Sequence, residues 1–294
     1  MQPWIKRSLT AVIGLVLLMV AVAAFGFWQS ERRMQRVVEV KPYPITASSD
    51  LARGRYLYET RGCAECHGAT GAGRAFIDSP DMRVKGPDIS TGGAAKAYRP
   101  EDWDRILRHG VKPDGRPAFI MPSEDYNRLT DADLAALVGY VQSLPAAGGT
   151  GVEIKIPPPV RILYGLGLIQ DAAAKIDHAL PVQQPVPEAL TPEHGRYIAT
   201  TCVGCHGEHF SGGKVPGGPP DWPAAANLTP GEGSAMGRYP DAASFSAMMR
   251  SGQRPDGTKI AVMPFESFGK LNDLDLGALR LYLASLPARP AGQR

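Results

Sequence analysis

Two short segments of the chain carry residues that can bind a porphyrin covalently and also ligate its iron. Cys63–His67 and Cys202–His206 share the pattern Cys-x-x-Cys-His. Two thiols at this spacing reach both vinyl groups of one porphyrin, and the pattern is the attachment signature of a c-type haem. The histidine then lies under the iron and supplies one axial nitrogen. The sequence therefore predicts two covalently bound haem c groups, with thioether bonds from Cys63, Cys66, Cys202 and Cys205 and axial nitrogens from His67 and His206.

A methionine occupies the same place in each half of the chain and is the candidate for the opposite axial position. Met121 and Met263 are each followed by proline and each precede the last apolar segment of their half. A thioether sulfur is a soft, neutral ligand that favours ferrous iron and raises the reduction potential. The alternative is that both are core methionines, the usual environment of this residue. Their matched positions favour the ligand interpretation.

Paired cysteines also bind zinc, which is the competing chemistry for these motifs. A paired-knuckle site needs its two cysteine pairs closer in sequence, and zinc does not require a histidine directly after each pair. The two motifs use all four cysteines of the chain, so none is left for a disulfide. We therefore expect haem rather than zinc.

Bulk composition fits several small folded units joined by loops. The chain has 294 residues, including 33 glycines and 27 prolines, a net charge of +3 and 21% charged residues. This length accommodates more than one domain. The chain has no large excess of positive charge of the kind that binds nucleic acid, so we expect no nucleic-acid partner.

The N-terminal segment is long and apolar enough to cross a membrane. No charged residue occurs from Leu9 to Trp28, and about 20 residues at ~1.5 Å rise span a ~30 Å hydrocarbon core. Ala21–Ala23 resembles a signal-peptide cleavage site, but the apolar run continues beyond it. We therefore expect an uncleaved anchor over residues 1–30, followed by a tether over 31–49. Basic residues flank the span on both sides, so the positive-inside rule does not set its orientation.

The remainder of the chain repeats itself once. Gly54-Arg55-Tyr56 recurs as Gly195-Arg196-Tyr197, and further segments recur in the same order. A repeat this long indicates two copies of one domain, which we place at residues 50–147 and 188–290. A proline-rich linker over 148–187 contains one apolar stretch. We expect this stretch to be a helix packed between the domains, with a partner or the membrane surface as alternatives.

Both copies are predicted to be helical. In the first, Thr130 is suited to cap a helix whose apolar stripe begins at Leu134 and ends before Pro145. Asn272 opens the corresponding helix of the second copy. The predicted fold class is therefore all-α, with two tandem domains after a single N-terminal transmembrane helix.

Both halves resemble class I c-type cytochromes. The pair is similar to the membrane-anchored cytochrome c subunits of periplasmic alcohol and gluconate dehydrogenases, which usually carry three haems. The resemblance implies that the first and last helices of each domain cross closely, with Gly54 against Tyr140 and Gly195 against Tyr282. It also implies that the Pro87 carbonyl accepts a hydrogen bond from His67.

The second copy departs from this pattern because Ala226 occupies the position of Pro87. An alanine carbonyl can still accept the bond from His206, but its loop is less rigid. We therefore expect the two haems to differ in potential.

The resemblance implies an electron carrier rather than an enzyme. An iron with both axial positions filled binds no substrate, so two such sites would pass electrons between a dehydrogenase subunit and a quinone or terminal oxidase. The alternative is a dihaem peroxidase, in which one haem must be open, and the Met-Pro pair in both copies argues against it. Because haem is attached to such motifs outside the bacterial cytoplasm, we expect a single-pass inner-membrane protein with its haem domains in the periplasm.

Two arginines and two histidines outside the motifs were also considered as site residues. Arg108 and Arg250 occur in both copies and are suited to pair with haem propionates, since an arginine fork matches a carboxylate. Surface arginines are the alternative. His178 and His194 have no ligand context and are expected to be exposed.

Overall fold

The structure, a computed structural model, describes residues 3–219 and 221–294 and is mainly helical. A long N-terminal helix precedes the first haem motif, which lies on a short helix of its own. The elements of the first half are α1 (Pro3–Gln35), α2 (Leu51–Thr60), α3 (Cys63–His67), β1 (Ala75–Asp78), β2 (Arg83–Lys85), α4 (Pro100–His109) and α5 (Asp131–Ser143), with 3-10 turns at Ala94–Ala97 and Ser123–Asp125.

The linker and the second half continue the chain with one further strand and seven helices in the described residues. These elements are β3 (Glu153–Lys155), α6 (Pro158–Gly165), α7 (Ala172–Lys175), α8 (Pro192–Ala199), α9 (Val203–His206), α10 (Ala242–Ser251), α11 (Phe265–Phe268) and α12 (Asp273–Ser285), with 3-10 turns at Thr200–Cys202 and Met236–Arg238.

The first and last helices of each half cross at a glycine. A Cβ added to Gly54 of α2 would lie 2.1 Å from the Ala136 carbonyl oxygen and 2.7 Å from Cβ of Tyr140. A Cβ added to Gly195 of α8 would lie 1.9 Å from the Ala278 oxygen and 2.7 Å from Cβ of Tyr282. No other residue type permits so close a backbone approach. The two expected crossings are confirmed.

The last helix of each half begins where its capping residue predicts. The Thr130 side chain accepts a hydrogen bond from the Asp133 amide at 3.2 Å, and Asn272 accepts one from Asp275 at 2.8 Å. The apolar stripe from Leu134 is buried, as is its counterpart in α12. Burial of these stripes against the first helices forms the core of each half.

A small sheet covers one side of the first half and departs from the all-α expectation. β1, β2 and β3 pair antiparallel in that order, with Val84 opposite Ile154. β3 comes from the linker, so its position depends on pairing across a long sequence separation. Short-range helical patterns contain no signal for such a strand.

Helix α1 is the one helix in the described residues that is long and apolar enough to span a bilayer, and a signal sequence would share those features. It continues to Gln35, beyond the expected end of the anchor. Glu31 near its end binds Arg161 of the linker at 2.7 Å. Contacts with the linker therefore stabilise residues that the sequence assigned to a tether.

The linker helix α6 packs on α1, so the expected packing between the two halves is wrong for this element. A Cβ added to Gly165 would lie 1.7 Å from the Gly26 carbonyl oxygen, and Gly26 and Ser30 are buried at the crossing. Small residues on both helices allow this approach. The shorter α7 instead packs on the Ser123–Asp125 turn of the first half.

The two halves exchange tyrosine–aspartate hydrogen bonds across a pseudo-symmetric interface. The Tyr56 hydroxyl donates to Asp275 at 2.5 Å, and the Tyr197 hydroxyl donates to Asp133 at 2.6 Å. The tyrosines are equivalent in the repeat, and so are the aspartates. Each bond therefore joins the first helix of one half to the last helix of the other.

Each aspartate of the interface also has a basic partner within its own half. Arg53 contacts Asp133 through two hydrogen bonds of 2.7 and 2.8 Å. His194 occupies the equivalent position in the second half, where its Nε2 lies 2.7 Å from Asp275. His194 is fully buried, so the expectation that it is exposed is wrong. The sequence around it gives no sign of a partner that lies on a distant helix of the same half.

Candidate haem sites

The first half encloses a largely apolar cavity of about 560 Å³. Cys63, Cys66 and His67 reach it from α3, and Met121 reaches it from the loop that follows α4. The structure thus brings all four predicted residues of the first half to one cavity. Met34, near the end of α1, also lines it, so the N-terminal helix contributes to this site.

His67 is held in the tautomer that an axial ligand requires. Its Nδ1 lies 2.9 Å from the carbonyl oxygen of Pro87. A carbonyl only accepts, so Nδ1 carries the proton and Nε2 carries the free lone pair. Burial lowers the pKa of His67, although the hydrogen bond to Pro87 raises it in part. The ring is therefore neutral at pH 7 and able to ligate iron.

His206 is positioned in the same way in the second half. Its Nδ1 lies 2.8 Å from the carbonyl oxygen of Ala226, and burial lowers the pKa of its ring. The change from proline to alanine therefore keeps the hydrogen bond. Cys202 and Met263 are both partly buried against the hydrophobic core.

One buried donor shows that the first cavity suits a ligand with anionic groups. The indole Nε1 of Trp103 is buried without a hydrogen-bond partner in residues 3–219 and 221–294, and Trp103 lines the cavity. Lys112 and Arg116 also line it. A haem carries two propionates, and an unpaired buried donor is costly unless a bound group accepts from it. The residues present therefore fit a haem.

Arg108 and Arg250 have other partners. The Arg108 guanidinium donates to Asp104 and Asp131, each at 2.8 Å, and is buried. Arg250 pairs with Asp273. Arg108 thus joins α4 to the start of α5, and Arg250 joins α10 to the start of α12. The expectation that these arginines bind propionates is not supported. Trp103 was not predicted to be a site residue. One sign of this role was present in the sequence, because Trp103 is an aromatic side chain with a hydrogen-bond donor on α4, facing the apolar stripe.

The segment that follows each candidate methionine contacts the haem-attachment helix of the other half. Ser267 on α11 donates to Glu65 on α3 at 2.5 Å. In the opposite direction, Asp125 approaches α9, where a Cβ added to Gly204 would lie 3.4 Å from a carboxylate oxygen. Burial raises the pKa of Asp125 to about 7. Both haem-attachment helices therefore lie at the interface between the halves.

His109 and His178 form a pair next to the first cavity. Their Nδ1 atoms lie 3.0 Å apart, and Nε2 of His178 donates to the Ala173 carbonyl at 3.0 Å. His178 is half-buried rather than exposed, and burial lowers its pKa. The pair attaches the linker to α4, a contact that neither histidine's local sequence predicts.

A cysteine pair, a histidine and a thioether thus line one apolar cavity, and these are the groups that a c-type haem requires. Residues 51–145 match the family model described as cytochrome c.

Similarity to curated proteins extends over most of the chain. It is 27% identical over 86% of its length to the fructose dehydrogenase cytochrome subunit of Gluconobacter japonicus, of which it covers 56%. It is 32% identical over 85% of its length to the alcohol dehydrogenase (quinone) cytochrome c subunit of Gluconacetobacter polyoxogenes, of which it covers 58%. It is 26% identical over 83% of its length to the gluconate 2-dehydrogenase cytochrome c subunit of Pantoea cypripedii, of which it covers 61%. The chain thus resembles cytochrome c subunits of dehydrogenases and spans little more than half of their length.

Proposed function

We propose that the protein is a dihaem electron carrier, anchored in the bacterial inner membrane by α1, with both haem domains in the periplasm. Cys63 and Cys66 would hold the first haem and Cys202 and Cys205 the second. His67 and Met121 would ligate the first iron, and His206 and Met263 the second. The observation that carries the proposal is the matched pair of histidines, each held by a backbone carbonyl at Nδ1 with its Nε2 free.

Bound haem would supply one-electron transfer without substrate binding, because His67 and Met121, and likewise His206 and Met263, would leave no open position on the iron. The protein's part is to exclude water and to keep the ligands fixed, so that the iron changes oxidation state with little rearrangement. The contacts between each methionine segment and the other half support short-range transfer between the two sites. The similarity to dehydrogenase cytochrome subunits supports a donor of that class and an acceptor in the respiratory chain, and it favours a carrier over a dihaem peroxidase.

Replacing each methionine by alanine tests the ligand assignment. We expect Met121→Ala and Met263→Ala each to convert one of two low-spin haems to high spin and to lower its potential on the order of 0.1 V. The measurements are ferric absorption and electron paramagnetic resonance spectra, carbon monoxide binding and redox titration of the detergent-solubilised protein. Met82→Ala is the control, since Met82 lies outside both matched positions.

The outcomes separate the two functions. Two low-spin haems in the unmodified protein that ignore carbon monoxide and peroxide support the carrier. A high-spin haem in the unmodified protein supports the peroxidase instead. An unchanged potential in either variant would show that another residue ligates that iron. Co-purification from solubilised membranes would then identify the donor.

A further inference from the structure

Helix α6 and the turn that follows it have an apolar outer surface that no part of the described chain covers. Residues 157–170 contain one charged residue, Arg161. The side chains of Leu163, Leu166 and Leu168 are 39%, 37% and 70% exposed, and Leu166 also contacts α1 at Gly26. We call these three residues the leucine surface.

The position of α6 along α1 places the leucine surface at the edge of the apolar span. The helices cross at Gly26, two residues before the span ends at Trp28, which is about 3 Å along the helix axis. The hydrocarbon core is ~30 Å thick and the headgroup regions add about 5 to 8 Å on each side. A helix crossing at that level lies where hydrocarbon meets headgroups.

Polar contacts orient α6 at this level. The guanidinium of Arg161 lies 4.1 Å from the ring centroid of Phe27 and binds Glu31 at 2.7 Å. Its charge therefore points toward the aqueous end of α1, as a snorkelling side chain does. Beyond α6, Asp171 accepts two hydrogen bonds from Arg36, at 2.7 and 2.6 Å. These pairs hold the segment to α1 and to the residue that follows it.

We infer that residues 157–170 form a second membrane contact, in which the leucine surface inserts into the interfacial layer of the lipid bilayer beside α1. The inference rests on the proposed anchor. It follows from continuity, because Phe25 and Trp28 of α1 are 52% exposed at the same level and any bilayer that surrounds them also meets α6. Interfacial helices of this kind carry apolar residues on one face and a basic residue on the other. The contact would hold the first haem domain against the membrane surface.

Cysteine reactivity in the full-length haem-loaded protein tests this contact. Single variants Leu168→Cys and Val16→Cys are compared with Leu190→Cys, a control at a leucine near the start of the second half that is 60% exposed. Each is reconstituted in phosphatidylcholine–phosphatidylglycerol nanodiscs and treated with a charged maleimide. Thioether-bonded native cysteines do not react, which the unmodified protein verifies. We expect Leu168→Cys to react at least tenfold more slowly than Leu190→Cys, and a fluorophore at residue 168 to be quenched by brominated lipids.

The controls separate this inference from the proposed anchor. Protection of Val16→Cys with free reaction of Leu168→Cys would leave the anchor intact and overturn the second contact. Free reaction at both positions would overturn the anchor as well. Protection of residue 168 without quenching by brominated lipid would show that protein covers the leucine surface and would also overturn the inference. Leu163→Cys provides a second test site if Leu168→Cys does not retain both haems.

Discussion

Removing the Tyr197 hydroxyl should weaken the packing of the two halves by a measurable amount. In the structure this hydroxyl donates to the Asp133 carboxylate at 2.6 Å and accepts from the Thr130 amide at 3.3 Å. A hydrogen bond to a charged group contributes about 1.5 to 3 kcal/mol, and a stranded amide adds to the loss. Asp133 keeps its two bonds to Arg53, which limits the damage. We expect Tyr197→Phe to lower the free energy of unfolding by about 2 to 3 kcal/mol.

The assay is urea-induced unfolding at constant detergent concentration, followed by far-ultraviolet circular dichroism. Tyr56→Phe removes the equivalent bond to Asp275 and should cost a similar amount. Tyr43→Phe is the matched control, because Tyr43 is 62% exposed and surface substitutions of this kind usually change stability by less than about 0.5 kcal/mol. If Tyr197→Phe behaved like Tyr43→Phe, the exchanged tyrosine bonds would not hold the halves together.

Two further predictions concern the haem pockets and their interface. Trp103→Phe should lower the potential of the proposed first haem by at most about 40 mV and leave the second unchanged. The lost hydrogen bond leaves the propionate more negative, which favours ferric iron, and its full contribution of about 1 kcal/mol sets the upper limit. Redox titration measures this, and an unaltered first potential would argue against an indole–propionate bond. Burial raises the pKa of Asp125 to about 7, above its unfolded value of about 4. The stability contributed by its protonated form is therefore complete below about pH 4 and is lost as the pH rises through 7. Asp125→Asn should remove that loss, so the gap in unfolding free energy between variant and unmodified protein should widen from pH 5 to pH 8. Parallel pH profiles would contradict the assignment.

The features predicted from sequence are those that short segments specify. Thr130 and Asn272 cap their helices through a residue three positions away, so a local pattern contains the whole interaction. The glycine crossings depend on distant contacts, yet they were predictable because resemblance to a known fold supplies the partner helix. The approach of Cys63, Cys66 and His67 to one cavity was predictable because the Cys-x-x-Cys-His pattern fixes their spacing.

The features missed depend on contacts that no local pattern encodes. His194 is buried in contact with Asp275, which lies on a helix far along the chain. A lone histidine in a sequence gives no sign of such a partner. Strand β3 forms because a linker segment pairs with β2. Helix α6 has the apolar composition of an inter-domain helix, but Gly165 and Gly26 let it pack closely on α1. The apolar composition of α6 thus predicted that this helix packs against another part of the protein, but it did not identify which part.

The two halves share a framework but differ in how they surround the haem position. The first has Trp103 as a buried donor, and the equivalent helical position in the second is Phe245. The first holds its histidine from Pro87 and the second from the less constrained Ala226. The first half also receives Met34 from α1 as part of its cavity wall. Each difference changes the polarity or rigidity around the iron while the predicted ligands stay the same, and these are the factors that set the potential when ligands do not change. If both proposed haems are bound, such differences between the halves would give them different potentials and so a direction to electron flow.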